Sequence, residues 1–475
     1  MASFVARAQI ESNANNENNA SNDKASPSGA VFVLYMNAQG QVSCRLATPS
    51  ERRQIMQRSG ERHVIYAGAP RRDATSGRDL SPNAPPANLP NLQPSAGLRM
   101  VLHGTAQLDL NQVAKNAFIA AANHWEARIS TPVTIVLDVD FGTTFFGQTF
   151  PSGVLGATGS AEDTRLYTEM RDRLLANSPT AAESQLYNAL PVESVPTELN
   201  NTAFKSLTVR MSQANARALG FVPDIADPNA IPLGGGDAGI GFNSAFAFDF
   251  DPSNGVDFDK IDFDSVATHE IGHALGFTSE SGGPVYAPTT IWDVFRFRPN
   301  AATLGTLATA PRIMSAGGTQ VYFNNFGTQE LSLSTGGPDG SAGDGNQSSH
   351  WKDDFLTGQY IGIMDPNIDF GETSPITDND VKTIDSFGYS IGSPVPAPPP
   401  PPPSPPPLPP NDNFANATVI QDVAGATTGN STGATKEAGE PAMLPGNGAG
   451  GRSVWFRWTS PVSGTATFDT EGSGY

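Results

Sequence analysis

His269, Glu270 and His273 stand as H-E-x-x-H within "ATHEIGHALGFTSES", residues 267–281. On a helix, positions i and i+4 lie one turn apart on one face. Two imidazoles so placed reach a common ion at about 2 Å. Glu270 sits beside them, where it can take a proton from a water on that ion. The plain alternative for a five-residue match is an ordinary helix with surface His and Glu. The surroundings weigh against it. Asp262 and Asp264 precede the helix and suit its positive end. Ala274 and Leu275 continue an apolar face, and Gly276 lets the helix end in a left-handed residue and the chain turn sharply. Such a turn brings in a more distant third ligand. Ser279 is a weak donor beside imidazole, carboxylate or thiolate. Glu280 and Asp293 are carboxylates within reach. Of the six histidines, His63, His103 and His124 lie upstream, and His350 follows in "NQSSHWKDDFLTGQYIGIMDPNI".

"HEIGHALGF", a long insertion, "SSHWKDD" and "GIMDP" together resemble the leishmanolysin-type metzincins, in a bacterial secreted form. The resemblance spans about residues 97–391, with its specific motifs at 269–277 and 348–366. It implies zinc ligands His269, His273 and His350, the catalytic base Glu270, the turn glycine Gly276 and Met364 beneath the metal. It implies one catalytic Zn2+, a protein or peptide substrate and an extracellular location. It also implies an α+β zincin domain, with a twisted sheet and active-site helix above a cleft and a C-terminal subdomain with a methionine turn below. The sequence departs from the family in three ways. His350 lies 77 positions after His273, a longer gap than usual. Ile363 and Asp365 stand where the family's turn has Leu and Ala. The many cysteines of eukaryotic members are missing.

Composition sets bounds on this reading. A net charge of −19 argues against nucleic acid and anionic membrane surfaces as partners. No apolar run of about 18 residues offers a membrane span. The first residues lack the apolar segment of a secretory signal, so the expectation is a different export route or a natural start upstream. One cysteine, Cys44, excludes an intrachain disulfide. A monomer is expected.

Along the chain, residues 1–29 are Asn, Ser and Glu-rich and read as disordered. Residues 30–67 read as a small accessory unit or pro-segment: strands in "AVFVLYM", "VSCRLA" and "HVIYAG", and a helix start at Thr48, Pro49 and Glu51. Residues 68–96 form a linker open to proteolysis, so a chain beginning near Ser95 is expected to fold and bind zinc. The metallopeptidase domain covers 97–391. Within it "LRMVLHG" and "VTIVLDVDFG" read as strands. "DLNQVAKNAFIAAANHWEARI" reads as an amphipathic helix with Val113, Phe118, Ala121, Ala122 and Trp125 inward. Residues 162–178 and 180–190 read as helices, the glycine-rich 232–244 as an edge strand, and "FAFDFDPSNGVDFDKIDF" as a hairpin about "PSNG". Residues 376–389 read as a closing helix with Val381, Ile384 and Phe387 on one face. Residues 392–411 are a Pro-rich linker, stiff and extended. Residues 412–475 read as a truncated β-sandwich module that would attach the protein to a surface or polymer.

Two further features carry chemistry. Asp249, Asp251, Asp257, Asp259, Asp262 and Asp264 could bind calcium, but their spacing does not fit an EF-hand and favours a solvated hairpin face. Cys44 could block the zinc as a thiolate in a latent precursor, although a structural cysteine is the commoner case. The function expected is a zinc endopeptidase. Its rivals are a zincin with Asp293 or Glu280 as third ligand, and a non-enzymatic adhesion protein with a degenerate protease-like domain. Intact Glu270 speaks against the latter, which has no need of a base.

Overall fold

The computed structural model describes residues 30–56, 58, 62–66, 97–282, 288–324, 329–337 and 342–392, and in a second unit 408–421, 427–431, 434–435, 437 and 453–468. The two compact units divide between Ala397 and Pro398. Residues 1–29 and most of both linkers lie outside the described residues.

The first unit is mixed α+β. Its frame is an eight-stranded sheet built from β1 (Val31–Met36), β2 (Val42–Leu46), β3 (Arg62–Tyr66), β4 (Arg99–Thr105), β5 (Thr134–Gly142), β6 (Val154–Ser160), β7 (Ala238–Asn243) and β8 (Asn367–Ile368). The strands lie in the order β8-β2-β1-β6-β7-β5-β4-β3. β4, β5 and β7 run parallel to one another, and β6, β1, β2 and β8 add antiparallel pairings on one side. The parallel strands are buried on both faces: every residue of "TIVLDVDFG" is buried, Asp138 and Asp140 included. The stretch 31–66, read as an accessory unit, thus supplies three strands of this sheet. Between them lies α1 (Pro49–Ile55), closed by a Thr48–Glu51 capping box.

Two long helices cover the inner face. α2 (Gln112–Glu126) buries Phe118, Ala121, Ala122 and Trp125, while Val113 is exposed. α3 (Phe263–Leu275) is buried at every residue except Asp264. The Trp125 indole donates to the Thr268 carbonyl at 3.0 Å and ties the helices together. A cluster of Phe118, Phe141, Phe242, Phe248 and Phe263, mostly in edge-on contacts, fills the space between sheet and helices.

Three local expectations change in the folded chain. Residues 232–244 yield β7, a central strand and not an edge. Its glycines serve close approach: a Cβ on Gly239 would fall 2.3 Å from the Arg58 guanidinium, and one on Gly241 2.8 Å from the Phe145 ring. Residues 162–166 form a strand paired with Thr208–Ser212, and the helix starts only at Tyr167. The segment around "PSNG" is not a hairpin. Phe248–Asp249 and Ile261–Asp262 pair in parallel, because Asp251 caps a 3-10 turn at Pro252–Asn254 and sends the chain round a wide loop. In the second unit, Thr418–Ile420 pairs in parallel with Phe456–Trp458, and 461–468 adds no strand.

The closing helix, α4 (Asp378–Ser386), pins the lower half. Ile384 and Phe387 are buried. Asp380 accepts from the Trp351 indole at 2.8 Å, the Ile363 amide at 2.9 Å and the Thr377 amide at 2.8 Å. One carboxylate therefore holds two segments far apart in sequence. Asp380→Ala is expected to cost about 3 kcal/mol or more, since it strands several buried donors. Urea unfolding checks this, and a change under about 0.5 kcal/mol would remove Asp380 from the role.

Candidate metal centre

α3 starts where Asp262 accepts from the Asp264 amide at 3.1 Å. It ends at Gly276, whose φ of +132° few other residues would adopt. The Gly276 and Phe277 amides both return to the Gly272 carbonyl at 3.2 Å. This tight reversal aims the Phe277 carbonyl at His273 Nδ1, 2.7 Å away.

His269 and His273 lie on the face of α3 that meets the loop carrying His350. His269 Nε2 is 3.1 Å from His273 Nε2 and 3.2 Å from His350 Nε2. Each ring's other nitrogen faces a backbone carbonyl: Ile363 for His269 at 2.7 Å, Phe277 for His273 at 2.7 Å, Gln347 for His350 at 2.9 Å. Those carbonyls can only accept, so each Nδ1 carries the proton. Each Nε2 then presents a lone pair. Burial keeps the rings neutral: it lowers His269 to about 4 and pushes His273 and His350 well down. Three lone pairs converge on one point with no proton between them, and a cation there relieves the repulsion.

Cys44 completes the group. Its sulfur lies 3.6 Å from His273 Nε2, and the ligand atoms of Cys44, His269, His273 and His350 all fall within 4.8 Å of one another. This buried quartet could hold a metal ion. Alternation along β1 and β2 puts Phe32, Leu34, Val42 and Cys44 on the inner face. Phe32 stacks flat on the His273 ring, with centroids 3.8 Å apart and planes 5° apart. The Cys44 amide donates to the Pro366 carbonyl at 2.9 Å, fixing the sulfur relative to the turn below. Burial and the nearby Glu270 charge push the Cys44 thiol up. The sequence signal for Cys44 was its identity as the sole thiol; its place at the histidines follows from strand pairing across more than 200 residues.

Glu270 is fully buried, and neither carboxyl oxygen has a hydrogen-bond partner among the described residues. Burial raises it to about 7, and the nearby Thr158 hydroxyl, outside regular hydrogen-bond geometry, draws it slightly back. A buried carboxyl without a regular hydrogen bond is costly when ionised. Met364 is fully buried beneath α3, and a Cβ on Gly272 would fall 2.5 Å from its sulfur. Gly272 thus lets the methionine approach the helix between the two histidines.

The alternative ligands are engaged elsewhere. The Ser279 hydroxyl donates to Asp293 at 2.6 Å, and Asp293 also accepts from Arg296 at 3.1 Å and the Glu280 amide at 2.9 Å. Glu280 pairs with Arg210. The Ser279 amide donates to Ser349 at 2.6 Å, so this segment positions the loop of His350. His63 pairs with Asp109, His124 pairs with Asp264, and His103 is buried beside Asp138. The acidic run 249–264 caps turns: Asp249 accepts from the Asp251 and Asp257 amides, and Asp262 and Asp251 cap helices. A different trio, Asp353, Asp354 and Asp365, gathers its oxygens within 4.8 Å. Backbone amides of Phe355, Asn367 and Asp354 occupy Asp353 and Asp365.

No protein-family model, curated protein or solved structure matches this chain.

In a Cys44→Ser background, His350→Ala is expected to lose most of the metal capacity, with zinc as the probe, because only two imidazoles then remain of the quartet. Ser279→Ala is expected to keep the metal and cost about 1 kcal/mol of stability. Metal analysis after dialysis separates the two. A folded Cys44→Ser, His350→Ala protein holding one tight zinc would break the ligand assignment.

Proposed function

We propose that this protein is a zinc-dependent endopeptidase of the metzincin type, resembling leishmanolysin, described in a closed state. The observation that carries the proposal is three converging imidazole lone pairs beside a buried carboxyl, Glu270, which shares α3 with two of them, His269 and His273. The donor set suits zinc. A tetrahedral ion with Zn–N of about 2.05 Å spaces its nitrogens about 3.3 Å apart, and a thiolate at about 2.3 Å lies about 3.6 Å from each nitrogen. The spacings here are 3.1, 3.2 and 3.6 Å.

Bound zinc would supply Lewis acidity, acidifying a water and polarising the scissile carbonyl. The chain's own residues do the rest. Glu270 accepts the proton of the attacking water at a carboxylate oxygen and delivers it to the departing amine nitrogen. Its dry surroundings keep it basic enough for the first step and acidic enough, once protonated, for the second. The three carbonyl-anchored histidines stay neutral throughout. Phe32 and Cys44 cover the place that a peptide carbonyl must reach, so this state is latent.

The set of one thiol and three imidazoles favours one rival reading, a closed structural zinc site. Glu270 discriminates, because a structural site has no use for an unpaired buried carboxyl. In a Cys44→Ser background, casein hydrolysis should rise severalfold over wild type as the thiolate ceases to compete for the fourth position. Adding Glu270→Gln should keep the zinc and cut that hydrolysis by about 10²-fold or more. Equal hydrolysis with and without Glu270 would refute the mechanism, and no hydrolysis in Cys44→Ser would favour the structural site.

A further inference from the structure

We propose that residues 31–66 form a three-point clamp that stays on the protein after the chain is cut in 67–96, so that release requires β1 to unzip from β6. The clamp's role in latency rests on the endopeptidase reading; its persistence does not.

The first point is the sheet itself. β1 is bonded on both sides, to β2 and to β6, with five residue pairs along each. Val31, Phe32, Val33 and Leu34 are all buried, split between the two faces. β2 then continues the sheet onto β8, just past Met364, through Ser43–Asn367 and Val42–Ile368. This hairpin bridges the strand above the metal centre and the turn below it.

The second point crosses the outer face. Ile55 of α1 is buried, and Met56 approaches Gly159 of β6. Arg58 lies flat over Gly239 of β7 and reaches Asp138 of β5, with Nε 3.4 Å from Oδ2. It also donates to the Gly159 carbonyl at 3.0 Å. Its side chain is 3% exposed and that of Asp138 is 0% exposed, so separating them leaves a buried charge uncompensated. The absence of a side chain at Gly239 makes room for this crossing.

The third point is the far edge. β3 pairs with β4, and Ile65 packs over Gly104, where a Cβ would fall 2.6 Å from it. The Tyr66 hydroxyl lies 2.6 Å from Asn123 Oδ1 and 2.7 Å from Glu126 Oε2, its one proton shared between the two acceptors. The segment therefore grips both halves of the sheet. A cut beyond Tyr66 breaks no strand pairing among the described residues. Departure would bare the full edges of β6 and β4, a strong disincentive for a sheet.

The test uses the full chain with a site for a sequence-specific protease inserted between Asn83 and Ala84. After complete cutting of the zinc-loaded protein, the N-terminal fragment should co-elute with the remainder in gel filtration. Cys44 should stay closed to iodoacetamide, and casein hydrolysis should change less than about twofold. Arg58→Met, which keeps the length but not the charge, should speed fragment loss by about tenfold or more. Spontaneous separation on cutting, with Cys44 alkylated, would overturn the clamp. An unchanged loss rate in Arg58→Met would overturn its outer-face point. Neither co-elution nor alkylation depends on hydrolysis. A cut protein that stays fully associated, and that cleaves no casein either as the Cys44→Ser form or after the fragment has finally been lost, would thus remove the protease reading and leave the clamp standing.

Discussion

Three short contacts, from ring nitrogens to the carbonyls of Ile363, Phe277 and Gln347, fix the chemistry of this molecule. Each sets a tautomer, and together they turn three Nε2 lone pairs toward one point. The carbonyls come from three unlike places: the turn before Met364, the reversal after Gly276 and the loop before His350. The packing of the lower half holds those carbonyls in position. Asp380 fixes Ile363 through its amide and fixes Trp351, the neighbour of His350, through its indole.

A second buried carboxylate does the same for the third histidine's loop. Asp293 and Arg296 are both fully buried and paired. Arg296 also donates to the carbonyls of Ser334 and Ser348 and to the Gln320 side chain. A buried ion pair is costly unless its remaining atoms are satisfied. Here they are, and the atoms that satisfy them belong to the loops flanking the metal centre. Glu270 is the contrast: same depth, no hydrogen-bond partner among the described residues. That difference sets Glu270 apart from the carboxylates that tie the loops together.

Cys44 and Phe32 show how the upper half can close the site. Strand alternation puts both on the inner face, and the β2–β8 pairing locks the thiol against the turn below. The position of the sulfur is thus a property of the sheet, set by the strands that carry it.

The sequence by itself determined the local chemistry. The i, i+4 histidines with the intervening glutamate, Gly276 at the helix end and the apolar strands 99–105 and 134–142 are written in short-range periodicity, which backbone geometry enforces wherever the segment sits. His350 and Met364 were legible only through resemblance, since no local rule links positions so distant. Only the tertiary structure decided that Cys44 meets the histidines, that residues 31–66 supply strands of the main sheet, and that the glycine-rich 232–244 lies at its centre. Those outcomes depend on which edges pair, and pairing is settled by burial summed over the whole sheet. The same holds for Glu280 and Asp293, plausible ligands by sequence distance, whose oxygens the fold commits to Arg210 and Arg296 instead.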